Sequence, residues 1–279
     1  MRIVGLRHTD GSVLVGALLD GEVAVLASLD EFWAEPRRWM DAAAAFTRSL
    51  GEVDLVPPVL PGARVICVGL NYLKHVAEGS YAADGVPPYP TLFARWPASL
   101  TVSGATLPVP VDEDGLDWEG EVVAWVGATL ADATPSEALA AVLGYSAFND
   151  VTARRAQKLT SQWTLGKNAD RSGVLGPIVP AAEVGDLRAG LTVRTRVNGV
   201  EVQHGRTDEM VYPVGDTLAL ISRTLTLHPG DLLATGTPAG VGYSRTPPWL
   251  LHPGDVVEVE VDRLGVLRNP VVGPSGRRA

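Results

Sequence analysis

The stretch LDWEGEVVAWVGATL, residues 116–130, decides the fold class. Val122 to Val126 form a short, strongly apolar run that reads as a buried strand ending in a turn at Gly127. Just before it, Glu119 and Glu121 are two residues apart, so on a strand both carboxylates project to one side. Two like charges beside so apolar a run are costly unless a cation lies between them.

Outward from this strand the chain is mostly strand pieces. ARVICVGL (63–70) reads as a second buried strand stopping at Gly69. LTVRTRVNGVEVQHG (191–205) reads as two strands joined by a type I′ turn at Asn198-Gly199. DLLATG, DVVEVEVDRLG and VLRNPVV add three more. PSEALAAVLGYSAFND (135–150) holds a helix, with Ser136 as expected N-cap, and then a strand ending at Asp150. VGDTLALISRTLTL (214–227) reads as a helix. The expected architecture is α+β and β-rich, a roll or barrel with a few packed helices. His228-Pro229-Gly230-Asp231 and His252-Pro253-Gly254-Asp255 repeat one turn pattern, with Pro fixing φ and Gly supplying positive φ.

Residues 1–60 differ in pattern. Two or three short strands come first, then LDEFWAEPRRWMDAAAAFTRSL as helix broken at Pro36. VDLVPPVLPG follows as a Pro-rich connector. The expected organisation is a small α+β cap over 1–60 and a catalytic domain over 61–279.

Composition narrows the function classes. The 279 residues carry 23 Lys plus Arg against 32 Asp plus Glu, a net charge of −9 that argues against nucleic acid as partner. No apolar stretch approaches the roughly 20 residues needed to span a bilayer. The N-terminus lacks a secretory h-region, so the expectation is a cytoplasmic protein. A lone cysteine, Cys67, excludes an intramolecular disulfide and a multi-Cys metal site. Of the 23 basic residues only Lys74, Lys158 and Lys167 are lysines.

Four clusters can carry chemistry. Glu119 and Glu121, with Asp150 at a strand end, make a hard oxygen set suited to Mg²⁺ or Mn²⁺. In GLNYLKHVAE (69–78), His75 and Glu78 are neighbours on one helical face, and a carboxylate on one imidazole nitrogen makes the other a better base. QWTLGKNAD (162–170) places Lys167 between glycine-rich turns, where it can reach a substrate carboxylate or an enolate. ATGTPAGVG (234–242) suits a tight loop with free backbone N–H groups. No Walker A or GxGxxG pattern is present.

The ordered set GLNYLKHVAE, PTLFARWPASL, LDWEGEVVAWVG, GYSAFNDVTARRAQ, QWTLGKNADRSGVLGP, NGVEVQ and LHPGDLLATGTPAGVG resembles the fumarylacetoacetate hydrolase family from about Arg64 to Val272. The resemblance implies that family's mixed β-roll, a homodimer and one divalent cation, usually Mg²⁺ or Mn²⁺. It implies Glu119, Glu121 and Asp150 as metal ligands, His75 with Glu78 as the proton-moving dyad, and Lys167 as the lysine holding the polarised oxo group. Thr237, Tyr72 and Gln162 are implied as substrate contacts. So is Arg95, which stands where many relatives have Lys and keeps the charge but not the geometry. Residues 79–90, GSYAADGVPPYP, are implied as a lid, and the first 60 residues as the variable cap of bacterial relatives.

The substrates so implied are 2,4-diketo acids or related 2-oxo acids. The expected reaction is hydrolysis of a C–C bond through a metal-stabilised enolate. Isomerisation or decarboxylation on the same site, within a biosynthetic pathway or outside one, is the alternative, and a non-catalytic binding protein the remote one. The apolar residues Phe32, Trp33 and Trp39 of the cap, together with the resemblance, are the ground for expecting a dimer.

Overall fold

A computed structural model of the chain describes residues 1–19, 22–42, 54–78 and 87–274. Three sheets organise it. The first contains β1 (Arg2–Arg7), β2 (Val13–Leu19), β3 (Glu22–Ser28) and β4 (Asp54–Val56) in the order β3-β2-β1-β4. The stretch expected as a mere connector thus supplies an edge strand, because Leu55 and Val56 align antiparallel with Leu6 and Gly5. After β3 come α1 (Leu29–Ala34) and α2 (Pro36–Ala42), with the break where Pro36 opens the second helix.

The second sheet runs β6 (Thr91–Arg95), β5 (Val65–Gly69), β15 (Leu232–Ala234), β9 (Gly120–Val126), β10 (Val142–Asp150), β11 (Gly173–Leu175) and β7 (Leu100–Val102), with β12 (Val179–Pro180) also on β10. The third runs β14 (Val200–Arg206), β13 (Thr192–Val197), β16 (Val256–Val261), β17 (Gly265–Val272) and β8 (Leu107–Pro108). The fold is strand-rich and mixed, as the sequence pattern implies.

β9 is buried along its whole length, and its alternation divides two cores. Val122, Ala124 and Val126 pack with Val193, Val257 and Val259 of the third sheet. Val123 and Trp125 pack the other way, with Ile3, Val15, Phe32 and Trp33 of the N-terminal unit. Trp33 stacks on Trp125 with centroids 5.5 Å apart and planes 11° from parallel, and its Nε1 donates to Pro58 O at 2.8 Å. Phe32 and Trp33, part of the ground for expecting a dimer, are buried in this chain's own core. Their size and apolar character are used to join the N-terminal unit to the β9 face.

Local signals hold in most places. Asn198 and Gly199 have φ of 50° and 81°, as a type I′ hairpin requires. Gly230 and Gly254 take positive φ in the two Pro-Gly turns, each closed by a hydrogen bond from the Asp N–H to the His carbonyl. The helix α4 (Pro135–Ala140) is capped by Thr134 and not by Ser136. Thr134 accepts from the Glu137 N–H, and Glu137 reaches back to complete a capping box, with Pro135 in the first turn. Among the described residues, no helix is long and apolar enough to cross a membrane.

Candidate active site

The face of β9 that carries Val123 and Trp125 also carries Glu121 and, just before the strand, Glu119. β10 runs antiparallel beside it. Phe148 lies opposite Glu121, and the Asp150 N–H donates to Glu119 O at 2.9 Å. Register therefore sets Asp150 beside Glu119 on the same face. Carboxylate oxygens of Glu119, Glu121 and Asp150 lie within 4.8 Å of one another, and all three residues are buried.

Three cations brace this group. Lys167, at the end of α6 (Thr164–Lys167), donates to Glu119 Oε2 and Asp150 Oδ2, both at 2.7 Å. Arg154, opening α5 (Arg154–Gln157), donates to Glu119 Oε1 at 2.7 Å and to Asp117 Oδ2 at 2.7 Å. Arg95 pairs with Asp150 and also donates to Ser172 Oγ at 2.9 Å and Val151 O at 2.7 Å. Burial works to raise the pKa of Glu119, but the charges of Lys167 and Arg154 outweigh it and hold the group at about 2. Lys167 is held charged against its own burial by Asp150 and Glu119.

Glu121 is different. It accepts the Gly236 N–H at 2.9 Å, and among the described residues no basic side chain is in ion-pair range of it. Burial, Asp150 and Glu119 push its pKa well above the ordinary carboxylate value. An all-oxygen donor set with one uncompensated carboxylate fits a hard divalent cation, with Glu119, Glu121 and Asp150 as the residues that would hold it.

The cluster faces a cavity of about 570 Å³. His75 and Glu78 line it from α3 (Leu73–Glu78), which begins just after β5. His75 Nδ1 meets Glu78 Oε1 at 2.8 Å. Glu78 also accepts the Gly240 N–H at 2.8 and 3.0 Å, so the 234–242 loop holds the dyad's carboxylate. Burial raises the Glu78 pKa, but the bonds from His75 and Gly240 win and leave it below the ordinary value.

Lys167 and Thr237 line the cavity too. The Thr237 hydroxyl donates to Gly120 O at 3.0 Å and accepts from Gln203 Nε2 at 2.9 Å. The other three expected substrate contacts do not line it. Arg95 is only 1% exposed and spends its guanidinium behind Asp150, where it supports a carboxylate. Tyr72 is buried and bridges to Met210, and Gln162 is exposed outside the cavity. In its place the neighbouring Trp163 supplies wall, as do Phe93, Gln157, Lys158 and Tyr243. Most of the expected lid, residues 79–86, lies outside the described residues.

Asp117 and Arg154 stood inside recognised blocks without an assigned part. Asp117 precedes Glu119 by the same two-residue step that relates Glu119 to Glu121, and Arg154 opens α5 four residues after the end of β10 at Asp150. Those spacings were the available signal.

Residues 64–272 match the family described as fumarylacetoacetate (FAA) hydrolase, C-terminal. The chain belongs to the fumarylacetoacetate hydrolase family. Within that family it is 33% identical over 274 residues to the oxaloacetate tautomerase YisK of Bacillus subtilis (strain 168), a match covering 97% of this chain and 89% of that one. The fumarylacetoacetate hydrolase of psychrophilic Exiguobacterium antarcticum superposes with a TM-score of 0.83 at 36% identity, over 98% of this chain and 100% of that one. A fumarylpyruvate hydrolase from Pseudomonas aeruginosa, solved with Mn²⁺ and pyruvate, gives a TM-score of 0.67 at 32% identity, over 80% of this chain and 93% of that one. The fumarylacetoacetate hydrolase relatives so named are enzymes, and the Mn²⁺ complex among them accords with the buried acidic trio here.

Proposed function

We propose that this protein is a Mg²⁺- or Mn²⁺-dependent enzyme of 2-oxo acids whose reaction is keto–enol proton transfer. The observation that carries the reading is the His75–Glu78 dyad on the wall of the cavity that the acidic trio faces. A likeness to an oxaloacetate tautomerase that includes the N-terminal unit adds support. A bound divalent cation supplies a Lewis acid for the 2-oxo carboxylate end of the substrate.

The chain's own residues do the rest. Glu78 occupies Nδ1 of His75, which leaves Nε2 to move the proton. In the enol-to-keto direction the enol O–H proton leaves, the C2–O bond becomes a carbonyl, and the C2–C3 π pair takes a proton at C3. Lys167 and Arg154 keep both Glu119 oxygens fixed, and Lys167 retains one N–H beyond its two carboxylate bonds to meet a substrate oxygen. Phe93 and Trp163 offer apolar wall that excludes water.

Hydrolytic C–C cleavage of a 2,4-diketo acid, the expectation from the sequence, is the second reading. The likeness to a fumarylpyruvate hydrolase favours it. It needs a water placed against the distal carbonyl, whereas tautomerisation needs none. We take the protein to be a cytoplasmic homodimer, with residues 1–60 a cap and 61–279 the catalytic domain. The family match from residue 64 supports that division.

Freshly dissolved enol-oxaloacetate, followed by loss of its ultraviolet absorbance with Mn²⁺ present, tests the reading. Acylpyruvates run in parallel with product identification. Acylpyruvate cleavage without acceleration of enol loss would make the protein a hydrolase.

A further inference from the structure

Among the described residues, every basic side chain lining the cavity but one is matched by a carboxylate. His75 meets Glu78, Arg154 meets Asp117 and Glu119, and Lys167 meets Glu119 and Asp150. Lys158 is the exception. Among the described residues it forms no ion pair. Its Nζ contacts the Tyr243 hydroxyl and lies 3.5 Å from the centre of the Tyr243 ring.

The position of this lysine bears on the substrate. Lys158 closes the C-terminal end of α5, four residues after Arg154. At 1.5 Å per residue that is roughly 6 Å further along the helix axis than the arginine that holds Glu119. Around it the wall is rich in hydroxyls, from Thr160, Ser161, Ser244 and Tyr243. Among the described residues, the carboxylates that line the cavity are Glu78, Glu119 and Glu121, each already part of the dyad or the acidic trio. For a substrate whose 2-oxo carboxylate lay at the trio, the unspent ammonium would stand about one helical turn further along the cavity wall.

Tyr243 serves as the platform. A cation over an aromatic face is attracted by the ring, which restricts where the lysine head rests. The platform is itself anchored, because the Tyr243 N–H donates to Asp117 Oδ2 at 3.1 Å, the same oxygen that accepts from Arg154 Nε. The distal cation and the metal-side clamp thus hang on one buried carboxylate.

We propose that Lys158, held over Tyr243, is a specificity-determining residue that reads the distal carboxylate of a 2-oxo dicarboxylate. This rests on the 2-oxo acid reading above and adds the class of the substrate's far end. Both side chains are exposed, so solvent screens the charge and the preference is modest, about two- to fivefold.

The test is calorimetric titration of the Mn²⁺-loaded protein with chain-matched pairs: 2-oxobutanoate against oxaloacetate, 2-oxopentanoate against 2-oxoglutarate, and 2-oxohexanoate against 2-oxoadipate. Wild type is expected to prefer the diacid in at least one pair. Lys158→Met should collapse that preference while leaving monoacid affinity nearly unchanged, and Lys158→Arg should restore most of it. Lys158 is a surface side chain, so the substitution leaves the cores intact. Absence of any diacid preference in wild type, or its survival in Lys158→Met, overturns the proposal. Binding of neither series by wild type overturns the 2-oxo acid reading and this proposal with it, whereas equal binding of both series overturns the subsite alone.

Discussion

Asp117 and Arg154 form a buried joint: Arg154 Nε donates to Asp117 Oδ2 at 2.7 Å, while the same guanidinium reaches Glu119 Oε1 at 2.7 Å. Asp117 also accepts the backbone N–H groups of Trp118, Gly242 and Tyr243. One carboxylate, fully buried, thus ties the β9 lead-in to α5 and to the cavity loop after residue 240.

Removing one partner of a buried pair leaves the other charge uncompensated. Asp117→Ala should therefore lose about 3–5 kcal/mol of stability, and Asp117→Asn less, since the amide oxygen still accepts. Urea unfolding of the three proteins measures this. A loss below about 1 kcal/mol in Asp117→Ala would mean that the joint is not a stabilising element.

Trp33 should behave as a core residue of the whole chain. It is 3% exposed and stacks on Trp125, which shares a β9 face with Glu119 and Glu121. Trp33→Ala should cost about 3–5 kcal/mol in chemical denaturation, and Trp33→Phe distinctly less. If Trp33→Ala instead gave an unchanged main transition with a separate early one, the N-terminal unit would be folding independently of the β9 face.

The pH dependence of stability should carry the mark of Glu78. Its folded pKa lies below the unfolded value of 4.5, because the bonds from His75 and Gly240 outweigh burial. A depressed carboxylate contributes stability that is fully present above the unfolded value and is lost as pH falls through the folded one. Wild type should thus lose stability more steeply than Glu78→Gln as pH drops below about 4.5. Parallel curves would indicate that Glu78 is no better placed in the folded protein than in the unfolded chain.

Much of this site was legible because register converts spacing into proximity. Glu119 and Glu121 share a face by the two-residue step of a strand, and His75 and Glu78 meet by the helical step of three. Asp150 joins them only through antiparallel pairing of β9 with β10, which neither spacing contains; its place at the end of an apolar strand marked it as a candidate, and the family resemblance tied it to the two glutamates. Arg95 shows the limit. The resemblance implied it as a substrate contact, but β6 lies at the sheet edge with the guanidinium aimed inward at Asp150, and no local signal gives that direction. Gln162 likewise lies outside the cavity lining: its neighbour Trp163 takes the wall, and one residue of difference changes the facing. The Thr134 cap, by contrast, was readable from Thr134-Pro135-Ser136-Glu137, a capping box with Pro in the first turn.

The last prediction separates the proton mover from the metal ligands. His75 bonds Glu78 and lies outside the acidic trio, so metal binding does not depend on it. His75→Ala should lose turnover by roughly two to four orders of magnitude, the usual size for a general acid–base group, with Mn²⁺ affinity hardly changed in calorimetry. Glu78→Gln should lose less, since the amide can still bond Nδ1 while the orienting charge is gone. Glu121→Ala should lose both Mn²⁺ binding and activity, because it removes the carboxylate of the trio that no basic side chain among the described residues pairs with. If His75→Ala kept near wild-type turnover on the substrate that wild type accepts, proton transfer would have to be assigned elsewhere in the cavity, with Lys167 and its one remaining N–H the first group to examine.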